Sequence, residues 1–394
     1  MSTLFVGIDV SKDFSTAKGL SIEGKSKFYI ELKMDSEGFS QLLAAIRSNC
    51  EDFSEATVAM ESTGCYHINL FSFLTNKGIQ CVVINPLLIL NFCKLTLRKT
   101  KTDKKDAATI AQFLLVHKEP LSKLSFSQDV QDLRDLARER ESLIALTSAL
   151  KNDIRRMLQL TFPELESLCN IFSETILHFL TQFPSARIVK AADKKTIAKA
   201  LVHADRRKRV AVSSDDIIKT AQVSVATSGA AKELILPQKI STFLYLVEKR
   251  KKITKALVKT CKTMMVQDLE IITSIDGISN RSGALFLAEV GDYRAFQSYK
   301  NLIAFAGIDP STHQSGKFEG KSRISKRGNR HLRRIIYNMT FCAVRENNVF
   351  RDYFLKRKKD GLLFKMAILA TAHKLVRVLF AMLLSKSLYK IKNA

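Results

Sequence analysis

The sequence lacks paired cysteines. Its seven, Cys50, Cys65, Cys81, Cys93, Cys169, Cys261 and Cys342, are scattered, odd in number and never spaced as Cys-x-x-Cys. That pattern excludes a disulfide framework and argues against a zinc site, leaving small core residues in a reducing cytoplasm. The segment Met1–Ile8 has no basic stretch followed by an apolar one, so no secretory leader is expected. No repeat of fixed period runs through the chain. A long apolar run free of charge is also missing. The nearest, Phe364 to Leu384, is interrupted by Lys365, His373, Lys374 and Arg377, which fits an amphipathic or buried helix and no membrane span. These absences leave a soluble, intracellular chain as the expectation.

Negative charge is the other scarcity. Against 63 Lys and Arg there are 38 Asp and Glu, a formal net charge of +25. A balance this basic favours a polyanionic partner, because each phosphate neutralised by a cation releases condensed counterions. The remaining composition is that of a folded protein: 46% of the 394 residues are hydrophobic, enough for two or three cored domains.

The first hundred residues mix strand and helix signals. Leu4 to Val10, Lys27 to Leu32, Ala56 to Met60 and Ile79 to Ile84 read as strands, and Gly38 to Ile46 and Ile68 to Leu74 as helices. A further helix opens at Thr102, with Ala107, Ile110, Ala111 and Leu114 on its apolar side. Such a layout predicts an α/β domain with a largely buried sheet. From Ser127 the spacing of Leu133, Leu136, Leu143, Leu150, Ile154 and Met157 predicts a long, coiled-coil-like helix ending at Phe162-Pro163. A second long helix is expected from about Pro237, a residue suited to a first helical turn, to Asp268. Cys169 to Ala231 reads as a small helical insertion. The expected domains are therefore 1–126, 127–268 with an insertion at about 169–231, and a mainly helical 269–394.

Asp9 ends the first apolar strand, in Gly7-Ile8-Asp9-Val10-Ser11-Lys12, and Glu61 ends the third, in Glu61-Ser62-Thr63-Gly64. A carboxylate in such a strand is costly to bury unless it is paired or binds metal, and strand ends of open sheets are where ligands bind. Asp103 and Asp106 stand three apart at a helix start, on one side of it. Four oxygen donors of this kind suit Mg²⁺ or Mn²⁺, which in pairs can serve both oxygens of a phosphoryl transfer. Taken singly, Asp103 could be an ordinary N-cap and Asp9 a turn residue. Lys101, Lys104 and Lys105 supply positive charge beside them, where a DNA strand would pass.

A second cluster runs from Gly307 through Pro310, Ser311 and Ser315-Gly316. After Gly316 come Lys317, Lys321, Arg323, Lys326, Arg327, Arg330, Arg333 and Arg334, with one Glu among them. Arginine at this density can hold phosphate oxygens bidentately, although a solvated basic face would look similar. Upstream, Ser274-Ile275-Asp276-Gly277-Ile278-Ser279 and Ser282-Gly283-Ala284 resemble a helix-hairpin-helix turn, whose backbone N–H groups can meet a phosphate.

The first-domain motifs, with Lys101-Thr102-Asp103-Lys104-Lys105-Asp106-Ala107, closely resemble the RuvC-like domain of IS110-family transposases. The Ser-Gly after Gly-x-x-Pro and the Ser325-Lys326-Arg327-Gly328-Asn329 run resemble the C-terminal domain of the same family. The resemblance implies an RNase H-like fold whose Asp9, Glu61, Asp103 and Asp106 form a metal-binding DEDD site. It implies a serine nucleophile at Ser315, with Ser311 as second candidate because Gln314 replaces a serine common in the family. It further implies a phosphoserine intermediate in cutting and rejoining target and donor DNA, an element-encoded guide RNA, and a homo-oligomer, dimer or tetramer. Residence in the cytoplasm of a bacterium or archaeon, at the nucleoid, goes with it. A related site-specific DNA invertase, or a RuvC-like nuclease using water, would share most of these residues. A non-catalytic nucleic-acid-binding protein would share the charge.

Overall fold

The computed structural model describes residues 3–61, 65–84, 89, 92, 103–117, 128–201, 212–227, 229–311, 314–315, 318–319 and 323–390. For 103–105, 128–129, 311, 314–315, 318–319 and 323 it describes the backbone alone. The chain divides into two compact units. One comprises Met1–Gln131, Val290–Val344 and Asn348–Ala394, and the other Asp132–Glu289 with Arg345–Asn347.

The N-terminal part of the first unit is a mixed sheet of β1 (Leu4–Asp9), β2 (Phe14–Ser21), β3 (Ser26–Lys33), β4 (Ala56–Glu61) and β5 (Gln80–Ile84). Its order is β3-β2-β1-β4-β5. β1, β2 and β3 pair antiparallel in sequence, and β4 and β5 join parallel to β1. Three helices accompany the sheet: α1 (Ser36–Arg47), α2 (His67–Asn76) and α3 (Asp103–Val116).

Strand alternation sorts the side chains between two cores. Leu4, Val6 and Ile8 of β1 and Ala56, Val58 and Met60 of β4 pack with Leu42, Ile46, Leu70 and Leu74 of α1 and α2. Phe5, Ala59, Val82 and Ile84 pack on the other side with Ile110, Phe113 and Leu114 of α3. Strand β2 was not foreseen from the sequence. Its Ser15, Thr16 and Ser21 are polar but buried, with Ala17 fully enclosed. A strand covered on both faces shows no apolar–polar alternation to read.

In the second unit, α4 (Gln128–Thr161) is followed by α5 (Leu165–Leu168), α6 (Glu174–Gln182), α7 (Ala186–Ala191), α8 (Lys194–Ala200) and α9 (Ser214–Gln222). Then come α10 (Ala230–Met264), α11 (Val266–Thr273) and α12 (Asn280–Val290). Lys239 Nζ meets Asp153 Oδ2 at 2.6 Å, and Arg140 Nε donates to Thr254 Oγ1 at 3.1 Å. Position rises on α10 as it falls on α4, so the two long helices run antiparallel. The insertion has its own core, in which Phe162, Phe179, Ile197 and Ile217 pack against Leu236 and Ile240 of α10.

Two expectations need correction. Pro237 lies inside α10, not in its first turn. A proline there removes one N–H bond, and the packing of Leu236 and Ile240 on the insertion holds the helix through the defect. The tract also stops at Met264, because Met265 leaves helical geometry at φ −132°, ψ 45° before Asp268 in α11. The cysteines divide as well. Cys81 and Cys261 are buried, but Cys65 and Cys342 are exposed, so the expectation of core cysteines fails for these two.

The C-terminal part of the first unit holds α13 (Tyr299–Ala306), the short strands β6 (Pro310–Ser311), β7 (Gln314–Ser315), β8 (Phe318–Glu319) and β9 (Arg323–Ile324), then α14 (Arg330–Glu346), α15 (Asn348–Lys359) and α16 (Phe364–Ser385). By length and hydropathy α16 could cross a membrane, but 56% of its most apolar window is buried inside the protein. It packs on α13 and α15, with Ala367, Ile368, Leu375 and Leu379 fully enclosed. That is the behaviour of a core helix, as the interrupting charges predicted.

Candidate active site

Asp9 and Glu61 end adjacent parallel strands. The last residues paired between β1 and β4 are Ile8 and Met60, and the two carboxylates occupy the next positions. Parallel strands lie about 4.8 Å apart, so the acids are neighbours at the carboxyl edge of the sheet. Both are half-buried. Alternation puts them on the side of Phe5 and Ala59, the side that α3 covers.

A glycine brings α3 to that edge. A Cβ on Gly7 would stand 2.2 Å from Ala111 N and 2.3 Å from Ala107 O, so the helix backbone lies directly on β1 two residues before Asp9. Asp106 precedes Ala107 and is half-buried, one turn before the fully buried Ile110. The helix begins at Asp103. Its side chain lies outside the described residues, as do those of Lys104 and Lys105, and Lys101 lies outside them entirely. Among the described residues, no three His, Cys, Asp or Glu side chains form a ready ligand group. The fold thus assembles Asp9 and Glu61 side by side and docks the Asp106 helix over them. Hard oxygen donors on one edge fit a divalent cation that keeps several of its waters.

The end of the first motif has a structural task. Ser11 donates its hydroxyl to the Phe14 carbonyl, and its N–H bonds Ser15 Oγ at 3.2 Å. Val10-Ser11-Lys12 therefore turns the chain from β1 into β2.

The C-terminal cluster is a loop fastened at its base. β6 pairs with β9, Ser311 opposite Arg323. Beyond that pair, Ser325 N donates to Asp309 O at 2.9 Å and Ser325 Oγ to Asp309 Oδ1 at 2.5 Å. Farther out, β7 pairs with β8, and Ser315 opposite Phe318 is the last pair of that ribbon. Ser315 therefore sits at a ribbon end, with its side chain outside the described residues. Lys317 and Lys321 lie outside them too, and Arg323 is described by its backbone on β9.

Lys326 to Asn329 is laid against the end of α13. Lys326 N bonds Gly307 O at 3.1 Å and Asn329 N bonds Phe305 O at 2.6 Å. Lys326 is left-handed at φ 55°, unusual for a residue with a side chain. Gly328 allows the approach, since a Cβ there would be 2.1 Å from Phe305 O. Asn329 Oδ1 then accepts from His331 N at 2.9 Å and Leu332 N at 3.1 Å, capping α14.

The basic residues part company here. Arg333 Nη1 donates to the carbonyls of Ala306 at 3.1 Å and Gly307 at 3.4 Å, so it caps α13. Lys326, Arg327, Arg330 and Arg334 are exposed. Asp309 was not singled out from the sequence. The signal was present only as a polar residue before Pro310, and its bond to Ser325 joins residues that the sequence holds 16 apart. The helix-hairpin-helix resemblance falls on α11, a turn with Gly277 at φ 87°, and α12.

Comparison with known proteins gives two family matches. Residues 6–163 match a transposase family described by its DEDD domain and IS110. Residues 269–355 match the transposase IS116/IS110/IS902 family. Among relatives, the uncharacterised 44.8 kDa protein of insertion element IS116 from Streptomyces clavuligerus is 28% identical across 98% of this chain and 96% of its own length. The pilin gene-inverting protein of Moraxella bovis is 20% identical across 97% and 96%. The transposase of insertion sequence element IS1111A from Coxiella burnetii is 23% identical across 98% and 91%. The two matched segments contain the carboxylate edge and the serine ribbon respectively, and the chain belongs to the IS110/IS116 family of transposases, enzymes that cut and rejoin DNA.

Proposed function

We propose that the chain recombines DNA through a covalent phosphoserine at Ser315, with the acidic edge of the first domain serving the same reaction. The observation that carries this reading is the placement of Asp9 and Glu61 at register-adjacent strand ends under the Gly7-docked helix that begins with Asp103 and Asp106. The strand order β3-β2-β1-β4-β5, with β2 antiparallel to the rest, supports an RNase H-like fold for that domain.

In this reading Asp9, Glu61, Asp103 and Asp106 hold Mg²⁺ or Mn²⁺, which when bound lowers the charge cost at a phosphate under attack. The Ser315 hydroxyl oxygen forms a bond to phosphorus while the bond to one sugar oxygen breaks. The serine proton passes to a base, and the departing sugar oxygen takes up a proton. Because the phosphodiester is conserved as a protein ester, rejoining needs no outside energy source. The short antiparallel pairs β6–β9 and β7–β8 hold the serine loop, and Asp309 fixes its base through Ser325. The exposed Lys326, Arg327, Arg330 and Arg334 offer phosphate contacts beside it, with Lys317, Lys321 and Arg323 assigned the same role from the sequence.

Asp9 and Ser315 work together within one subunit or between subunits of a dimer or tetramer. The net charge of +25 is compatible with holding a guide RNA as well as target and donor DNA. The Moraxella relative, a pilin gene-inverting protein, favours a second reading, inversion between fixed sites by the same chemistry.

Covalent trapping tests the proposal. With Mg²⁺, cognate RNA and a DNA substrate, the wild type should yield a DNA–protein adduct mapping to Ser315. Ser315→Ala and Asp9→Ala should each lower strand exchange by a factor of at least about 10³. Cleavage that survives in Ser315→Ala but not in Asp9→Ala would instead establish hydrolysis by water.

A further inference from the structure

Helix α10 carries a charge pattern that the proposed chemistry does not use. From Lys249 to Lys262 there are seven Lys and Arg and no acid. Lys252, Lys255, Lys259 and Lys262 follow one another at steps of three, four and three, which places them in a row along one face. All four are exposed. Lys255, Lys259 and Lys262 line a shallow surface groove with Thr254, Val258 and Thr263.

An ordinary solvated helix face mixes its signs, as α4 does. There Asp153 holds both Lys239 and Arg156, and Arg155 bonds Glu166. On α10, Lys251 has Glu248 at 3.5 Å, whereas none of the described carboxylates pairs with Lys252, Lys255, Lys259 or Lys262. Favourable placement in the last helical turn accounts for Lys262 alone.

We propose that this lysine row is a sequence-independent docking surface for the phosphate backbone of duplex DNA. From Lys252 to Lys262 the ten residue-to-residue steps cover about 15 Å of helix axis. The same length of B-form duplex presents about four phosphates per strand, one for each lysine. The row has no aromatic side chain on which an unpaired base would stack, which sets it apart from single-strand platforms. Lysines act as point charges and do not read base edges as a bidentate arginine does. The proposal rests on the recombinase reading only in taking DNA as the polyanion.

The test is anisotropy titration of the full-length protein with a random-sequence 30-base-pair DNA duplex across a salt series, without divalent metal. Changing all four lysines to Ala should make the slope of log affinity against log salt shallower by about three to four. The single variants Lys255→Ala and Lys259→Ala should each remove about 0.9, and give the answer even if the fourfold variant fails to fold. A fourfold Lys→Arg variant should keep the wild-type slope. An unchanged slope in the alanine variants overturns the proposal. So does a slope that changes for an RNA hairpin but not for the DNA duplex. Absence of a Ser315 adduct alongside the expected slope change would sink the catalytic reading and leave this surface standing.

Discussion

Gly7 decides more about the acidic edge than its size suggests. With no Cβ it lets the backbone of α3 rest on β1, and any side chain there would collide with Ala111 N and Ala107 O, both main-chain atoms. Backbone cannot swing aside as a flexible side chain would. Gly7→Val should therefore push α3 off the sheet, cost about 1–3 kcal/mol or more in stability and reduce strand exchange with the carboxylates intact. Thermal melting and an exchange assay on the variant check this, and a variant with wild-type melting and activity would show that the helix is not held as described. Gly328 makes the same kind of approach to Phe305 O, but to fasten the serine loop. At both sites the missing side chain of a glycine sets how closely two stretches of backbone approach.

Among the elements, the first turn of α10 ties the insertion to the long arm. The Glu233 side chain there is only 8% exposed and accepts from Arg187 and, at 2.6 Å, from the fully buried Ser185. Arg187 first, then Ser185, holds its carboxyl below the ordinary value of 4.5. The unfolded chain thus takes up the proton more readily than the folded one. The stabilisation is fully present above pH 4.5 and fades as the pH falls through the lowered value. Glu233→Gln should lose about 1–2 kcal/mol near neutral pH and flatten the acid dependence of the insertion's stability. Hydrogen exchange of α6 to α9 at pH 7 and below pH 4.5 would register both effects. Equal acid sensitivity in variant and wild type would place the stabilisation elsewhere.

For the molecule as a whole, the net charge of +25 makes nucleic-acid affinity a function of salt. If six or more phosphates are neutralised, affinity should fall by about 10³ or more between 50 and 200 mM salt. A salt titration with duplex DNA measures the slope directly, and a shallow one would remove charge as the main source of binding.

Much of this was legible in the chain. The positions of Asp9 and Glu61 at strand ends and of Asp103 at a helix start were legible, because polar residues closing apolar runs are local signals, whereas Ser315 was assigned through resemblance alone. The long helices, the α/β start and the buried nature of α16 follow from periodicity and interrupted charge. Strand β2 did not, since burial on both faces erases alternation. Nor did Pro237 inside α10, where tertiary packing overrides a local preference. The bond from Ser325 to Asp309 and the use of Arg333 as a helix cap depend on groups far apart in sequence. Sequence by itself determined which residues could do chemistry and which elements would carry them. Only the tertiary structure decided that Asp9 and Glu61 stand on one face beneath α3, because strand register and the close approach at Gly7 are properties of chains already packed together.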